Sequence, residues 1–179
     1  MFMKYNVRSV IAAATVCCLA LSVAKPAPVH AQAATGAAPD ESLVIAGDVT
    51  QALTIRPADL KTMPRTTVTV SEEGRQVSYE GVLVGELLKR AGAPVGRDLS
   101  GKAVATYVLA SAKDGYQAVF SLAELDPAFT PNDIIVADTI DGKPLFDYQG
   151  PFRIVAPHDK RGARSIRMLQ RIEVVRLVK

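Results

Sequence analysis

The densest chemistry in the sequence lies near its carboxyl end. Lys160, Arg161, Arg164 and Arg167 fall within eight residues, with His158, Asp159 and Ser165 beside them and Gly162 in the middle. Guanidinium forks and backbone N–H groups in such a run can take a phosphate or a sulfate. A glycine lets a ligand approach the main chain closely. The same cations could equally pair with acidic side chains upstream and leave only a solvated loop, so both outcomes stay open at this point. The charge distribution sharpens the question. Residues 32–149 carry 10 basic and 16 acidic side chains, whereas residues 150–179 carry 8 basic and 2 acidic. A basic C-terminal sixth on an acidic remainder is a candidate anion site.

Other chemistries have little to build on. The two cysteines, Cys17 and Cys18, sit side by side near the amino end. Removal of that segment would leave no thiol for a disulfide, a cysteine zinc site, an iron–sulfur cluster or a thiolate–metal bond. His158 would be the one remaining histidine, and no Gly-x-Ser-x-Gly elbow accompanies it. The sequence therefore assigns no catalytic residue and no metal ligand. Asp138 and Asp141 before Gly142 resemble part of a calcium loop, but the closing Glu is missing. Walker and Rossmann phosphate loops are absent. Nucleic acid is excluded as a partner because the basic run is short and no aromatics are interleaved with it.

The whole-chain charge of +3 belongs entirely to the leader: residues 1–31 contain Lys4, Arg8 and Lys25 and no acid, and the remainder is neutral. After Lys4 and Arg8 comes an apolar run of about 12 residues, Val10 to Leu21, too short to cross a hydrocarbon core of roughly 30 Å. Val29-His30-Ala31 then offers an A-x-A-like cleavage site, with Ser22-Val23-Ala24 and Ala31-Gln32-Ala33 as rivals. This layout is that of a secretory signal peptide. The expectation is a periplasmic protein with no membrane attachment after cleavage: signal peptide 1–31, a small and polar lead-in over 32–42, and one folded domain over 43–179.

The elements that must position the basic run follow from local pattern. Strands are expected at Leu43–Asp48 and Ala52–Ile55, then a short helix from Ala58 to Thr62 opened by Pro57. Thr66–Val70 alternates Thr and Val and predicts a half-buried strand. Ser71–Arg75 is expected as a hairpin loop, with Val77 and Tyr79 on the returning strand. Leu83, Val84, Leu87, Leu88 and Ala91 form one apolar stripe of a helix over about Val82–Ala91, stopped by Gly92 and Pro94.

Ala103–Ala110, apolar on both faces, reads as a central strand, and Lys113-Asp114-Gly115 turns the chain into Tyr116–Phe120. Ser121 with Glu124 is a capping-box pattern. Further strands are expected at Asp133–Asp138, Phe152–Ala156 and Arg171–Val178. Asp141-Gly142 supplies a two-residue hairpin, Pro144 keeps the following segment at an edge, and Pro157–Ala163 forms a basic loop. Hairpin-length joins make the fold class β-rich α+β: mostly antiparallel sheet with one main helix.

The order of motifs resembles the sulfite-oxidase-type molybdopterin-binding domain over roughly Thr66–Val175. The matching pieces are Tyr79-Glu80-Gly81-Val82, the Leu-rich helix ending Ala91-Gly92, and Tyr107 through Tyr116. They continue with Gly142-Lys143-Pro144-Leu145, Gly150 through Pro157, Gly162 through Arg167, and Arg171-Ile172-Glu173-Val174. The resemblance implies a mixed α+β domain that cradles a pterin pyrophosphate and presents molybdenum bound through one protein cysteine. It also implies that Arg164, Ser165 and Arg167 occupy the family's Gly-x-Arg/Lys-Ser-x-Lys/Arg run, with Lys160, Arg161 and His158 beside them as further cofactor contacts. Two departures accompany it. The family's N-terminal portion, which carries the metal-binding cysteine, has no counterpart here, and Met168 stands where the larger enzymes usually have Trp.

The expected function is an exported protein with a molybdopterin-binding oxidoreductase-like domain. It would retain an anion or pterin-phosphate-type binding loop and lack a protein thiolate for molybdenum. The alternative is a cofactor-free periplasmic module on the same scaffold, taking a small anion or another exported protein.

Overall fold

The computed structural model describes residues 41–177. The expected signal peptide, most of the lead-in and the last residue of the expected final strand lie outside that range.

Among the described residues ten strands and two short α-helices follow one another in the order β1 (Leu43–Gly47), β2 (Leu53–Ile55), α1 (Pro57–Leu60), β3 (Thr66–Glu72), β4 (Arg75–Leu83), α2 (Val84–Arg90), β5 (Thr106–Ala112), β6 (Gln117–Ser121), β7 (Ile135–Ile140), β8 (Lys143–Pro144), β9 (Arg153–Val155) and β10 (Leu169–Arg176). They form two five-stranded sheets. The first has the order β2-β1-β10-β5-β6; the second runs β3-β4-β7-β8, with β9 also on β7. Every pairing is antiparallel except β1 with β10, which run parallel with Val44 opposite Arg171 and Gly47 opposite Val174. The class is the expected one, β-rich α+β. No described helix is long and apolar enough to cross a membrane.

Both expected turn signals carry their strands. Glu73-Gly74 and Asp141-Gly142 each place two successive residues at positive φ, the backbone that suits a two-residue hairpin. The first turn is tighter than the five-residue loop expected there, because Ser71 and Glu72 stay in the ladder opposite Gln76 and Arg75. The capping box forms as read: Glu124 N donates to Ser121 Oγ at 3.1 Å and Ser121 N to Glu124 Oε1 at 2.7 Å.

Several boundaries lie a few residues from expectation, and two of the shifts have a reason in the strand pairing. Strand β5 begins at Thr106 rather than Ala103, because Gly101–Val104 coil into a 3₁₀ turn with Val104 exposed. Its pairing with β10 begins where that strand ends, at Thr106 opposite Arg176. The main helix is shorter than the apolar stripe suggests, because Val82 and Leu83 remain in β4 opposite Val136 and Ile135.

The main core gathers one face of the first sheet, α2 and one face of the second sheet, with Leu43, Ile45, Leu87, Leu88, Val108, Val136, Ile172 and Val174 among its buried residues. The other face of the second sheet packs a smaller cluster of Val68, Val77, Tyr79, Ile135, Ala137 and Val155. Strand β7 is thus buried on both faces, as its apolar run requires. A bulge between Glu80 and Gly81 shifts the β4–β7 register. Beside it the buried Asp138 takes Arg65 through Nη2 at 2.6 Å and Nη1 at 3.1 Å, and Arg65 Nε holds Glu80 at 2.8 Å. Those bonds, Asp138 first, raise the Arg65 pKa against the opposing cost of burial.

Candidate functional site

The basic run lies along a cleft of about 670 Å³. Its walls are the end of the β3–β4 hairpin (Val70–Glu73), Arg153 on β9, the loop from Ala156 to Arg167, and the β5–β6 turn at Asp114 and Tyr116. Strand ends and tight turns converge here, so short elements fix each wall.

The loop is pinned at several points. Ala156 N donates to Ser165 Oγ at 3.2 Å, and Ser165 N donates to the Gly162 carbonyl at 3.0 Å across a 3₁₀ turn. Ile154 N reaches the Ile166 carbonyl at 2.9 Å, and the Tyr116 hydroxyl donates to the Ala163 carbonyl at 2.7 Å. Ile166 is buried and anchors the loop in the core.

Arg164 completes the bracing. It holds Asp159 side-on, reaches Glu124 with Nη1 at 3.0 Å, and lies over the Phe120 ring at 4.8 Å. Its hydrogen bonds to Asp159 and Glu124 push its pKa upward, with Asp159 the largest influence and burial opposing. The pairing of loop cations with acids upstream, left open by the sequence, is realised at this residue.

Of the six expected contacts, Lys160, Ser165 and Arg167 line the cleft, and His158, Arg161 and Arg164 do not. Lys160 and Arg167 are exposed. Arg167 also lies over the Tyr148 ring at 5.3 Å. Ser165 Oγ accepts from Ala156 and keeps its own proton free to donate. Gly162 lines the cleft too, and a Cβ added there would meet no atom within 4 Å. Its lack of a side chain therefore answers no need of the chain's own packing. The lining is mixed in sign, since Glu72, Glu73, Asp114 and Asp159 share it with Arg153, Lys160 and Arg167. Asp159 is neutralised by Arg164 and Glu72 by Arg153.

Sequence reasoning missed Arg153. It is 3 % exposed, donates through Nη2 to Glu72 at 2.7 Å and through Nη1 to Gln149 at 2.8 Å and to the Tyr79 hydroxyl, and lies over the Tyr79 ring at 4.6 Å. Burial pushes the Tyr79 hydroxyl up to about 12, with Glu72 adding and Arg153 opposing. The signal was a charged residue inside the apolar run Phe152–Ala156, which only a buried partner would permit. A second cleft of about 680 Å³ adjoins the first and shares Glu72, Glu73 and Arg167 with it; Phe146 and Tyr148 line it, edge to face at 6.0 Å.

Comparison with known proteins gives two findings. Residues 71–178 match the family model described as the oxidoreductase molybdopterin binding domain. The fold is similar to that in the crystal structure of the sulfane dehydrogenase SoxCD from Paracoccus pantotrophus, with a TM-score of 0.60 at 21 % identity, over 76 % of this chain and 38 % of that one. The present chain thus spans about two fifths of the solved chain it resembles. No curated protein matches the sequence. The family match covers more than half of the chain, which belongs to the molybdopterin-binding oxidoreductase domain family.

The residues present fit one part of such a cofactor and not the other. An anionic end finds Lys160, Arg167, the Ser165 hydroxyl and the open space over Gly162. A molybdenum held by a protein thiolate does not fit residues 41–177, which contain no cysteine. Among the described residues no three His, Cys, Asp or Glu side chains group as metal ligands.

Proposed function

We propose that this member of the molybdopterin-binding oxidoreductase family is an exported binding domain. Its C-terminal cleft receives the phosphate end of a pterin-type ligand without a protein thiolate to the metal. The observation that carries the reading is the convergence of Lys160, Ser165 and Arg167 on one cleft above Gly162, where nothing of the chain fills the space a side chain would take. Two cations and a hydroxyl around exposed backbone suit a dianionic phosphate. Export rests on the charge and hydropathy layout of residues 1–31.

A ligand of this kind would bring its redox chemistry with its metal. The chain's own residues bind and orient. Lys160 and Arg167 supply charge, Ser165 a directional donor, and Arg164 holds the loop that carries all three. The absence of a cysteine from the described domain also favours a second reading, a cofactor-free module for a small anion or another exported protein.

Calorimetry on the full chain with inorganic phosphate, sulfate, sulfite and a pterin phosphate separates the two, alongside elemental analysis of protein produced with its leader. Binding of the pterin phosphate that disappears in the Lys160→Ala/Arg167→Ala double variant is the expected result. Binding that survives the double variant would overturn the assignment. Stoichiometric molybdenum in the purified domain would overturn the thiolate-free reading.

A further inference from the structure

The free edges of the two sheets are not alike. A bare row of N–H and C=O groups invites another strand, and sheets blunt such edges with short strands, prolines, bulges or covering loops. Strand β2 has three residues and Pro57 follows it closely. Strand β8 has two residues and ends in Pro144. Beside β9, Ile154 N is taken by the Ile166 carbonyl. On β6, Ser121 N is taken by Glu124. Strand β3 has none of these devices. Its seven residues hold no proline and pair with β4 in unbroken register, from Thr66 opposite Gly81 to Glu72 opposite Arg75.

The groups that β3 turns outward can be identified. On β4, Ser78 gives its carbonyl to Asp141 N at 2.8 Å and its N–H to Asp141 Oδ1 at 2.9 Å, away from β3. Thr69 stands opposite Ser78. This pair therefore exchanges no ladder bonds, and the backbone groups of Thr69 point away from β4. By alternation so do those of Thr67 and Ser71. Among the described residues none bonds to the backbone of these three. Their side chains are exposed on one face, while Val68 and Val70 on the other pack in the smaller cluster.

We propose that β3 is the docking edge for a second copy of this chain, the two β3 strands running antiparallel about a twofold axis through Thr69. Full overlap of the strands fixes the register. Thr69 then faces Thr69, Thr67 faces Ser71 and Val68 faces Val70, and every outward backbone group finds a partner. Hydroxyl beside hydroxyl and valine beside valine are favourable cross-strand neighbours. Just beyond the strand ends the same register sets Arg65 opposite Glu73 of the second copy, twice over, so the charges complement. Arg65 gives three of its five N–H groups to Asp138 and Glu80 and keeps two. Glu73 is exposed. A shift of two residues either way shortens the ladder and parts Arg65 from Glu73. The pairing uses up both edges, so association closes at two copies. The inference is independent of what the cleft binds.

Analytical ultracentrifugation over a wide range of concentration tests it on protein produced with its leader, with amide hydrogen exchange read at both ends of the range. A reversible dimer is expected. Exchange at Thr67, Thr69 and Ser71 should slow as it forms, and exchange at Val119 on the β6 edge should not change. Thr69→Lys sets like charges face to face at the axis and should weaken association by about tenfold or more. Thr69→Pro removes an outward N–H that β4 does not use and should abolish association. Glu73→Lys should weaken it several-fold. Thermal unfolding shows whether each variant folds; should Thr69→Pro fail to fold, Thr69→Lys decides. A monomer at every concentration overturns the proposal and leaves the edge to a different protein. A dimer that Thr69→Lys does not weaken, or that leaves the three amides fast, uses another surface and overturns it equally. Amides that are slow at every concentration mean that another segment of the same chain covers β3, and this too overturns the second copy.

Discussion

Arg164 grips Asp159 with two parallel bonds, Nε to Oδ2 at 2.8 Å and Nη2 to Oδ1 at 2.7 Å, and so turns the middle of the basic run inward. A third bond to Glu124 ties the loop to the capping-box turn after β6. Five residues separate Arg164 from Asp159 and forty from Glu124, so one side chain joins a local turn to a distant one. Positive charge at the cleft then falls to Lys160 and Arg167, whose geometry Arg164 maintains.

Arg164→Ala should therefore loosen the loop more than it changes the local charge. The ion pairs are about one-third exposed, so their contribution is modest; together with the Phe120 contact a loss of about 1–2 kcal/mol is expected. Urea unfolding measures it, and limited proteolysis should show new cleavage between Pro157 and Gly162. Arg164→Lys should recover little, because an ammonium cannot reproduce the side-on fork. A variant as stable and as protected as wild type would show that the brace is idle.

Two glycines make opposite predictions. A Cβ at Gly81 would collide with the backbone carbonyl oxygen of Val136 beside the bulge. Gly81→Ala should cost about 2 kcal/mol or more, since neighbouring ladder backbone has nowhere to move. Gly162→Ala meets no atom within 4 Å, so thermal unfolding should move by less than about 0.5 kcal/mol. Phosphate affinity should nevertheless fall in Gly162→Ala, because the methyl enters the space reserved for the ligand. Unchanged affinity would place the ligand elsewhere.

Much of the fold was legible because its signals are local. Asp141-Gly142 needs only two residues to specify a turn, and Ser121 with Glu124 needs four to specify a cap. The parallel pairing of β1 with β10 was not legible. Val44 and Arg171 sit at opposite ends of the chain, and no local pattern distinguishes a strand that will take a distant parallel neighbour. The division of the strands into two sheets is hidden for the same reason. At the site, the run Lys160–Arg167 announced itself by charge density, but density does not say which way a cation points. Arg164 turns inward to Asp159 and to Glu124, and the second of these is remote in sequence. Arg153 was overlooked because a single charge in an apolar strand reads as an interruption, not as the centre of a buried network with Tyr79, Gln149 and Glu72.

The outer cations should show themselves through salt. Lys160 and Arg167 are exposed, so their attraction for a dianion is screened over about 8–10 Å at ordinary ionic strength. Phosphate affinity should fall several-fold between low and physiological salt. Lys160→Ala and Arg167→Ala should each weaken binding and flatten that dependence. Both variants should unfold within about 1 kcal/mol of wild type, since neither cation forms an ion pair among the described residues and Arg167 loses only its contact with the exposed Tyr148 ring. Salt-independent binding would place the anion away from these two cations.

Tyr79 makes stability depend on alkaline pH in a direction that can be worked out. Its hydroxyl titrates near 10.0 when solvated and near 12 in the fold, because burial disfavours the phenolate. Below pH 10 both folded and unfolded chains keep the proton, and the contribution is fully present. Between 10 and 12 the unfolded chain has released the proton while the folded one retains it, so rising pH favours unfolding. The loss should approach roughly 2 kcal/mol by the upper end of that window. Denaturant unfolding across the window measures the slope, and ultraviolet difference spectra should show one tyrosine that ionises only as the fold is lost. Tyr79→Phe should be less stable at neutral pH, because Arg153 and Glu72 lose a hydroxyl, but its alkaline slope should be shallower. A slope identical to that of wild type would mean that another group carries the proton, and that the hydroxyl between Arg153 and Glu72 is not the buried titrating site.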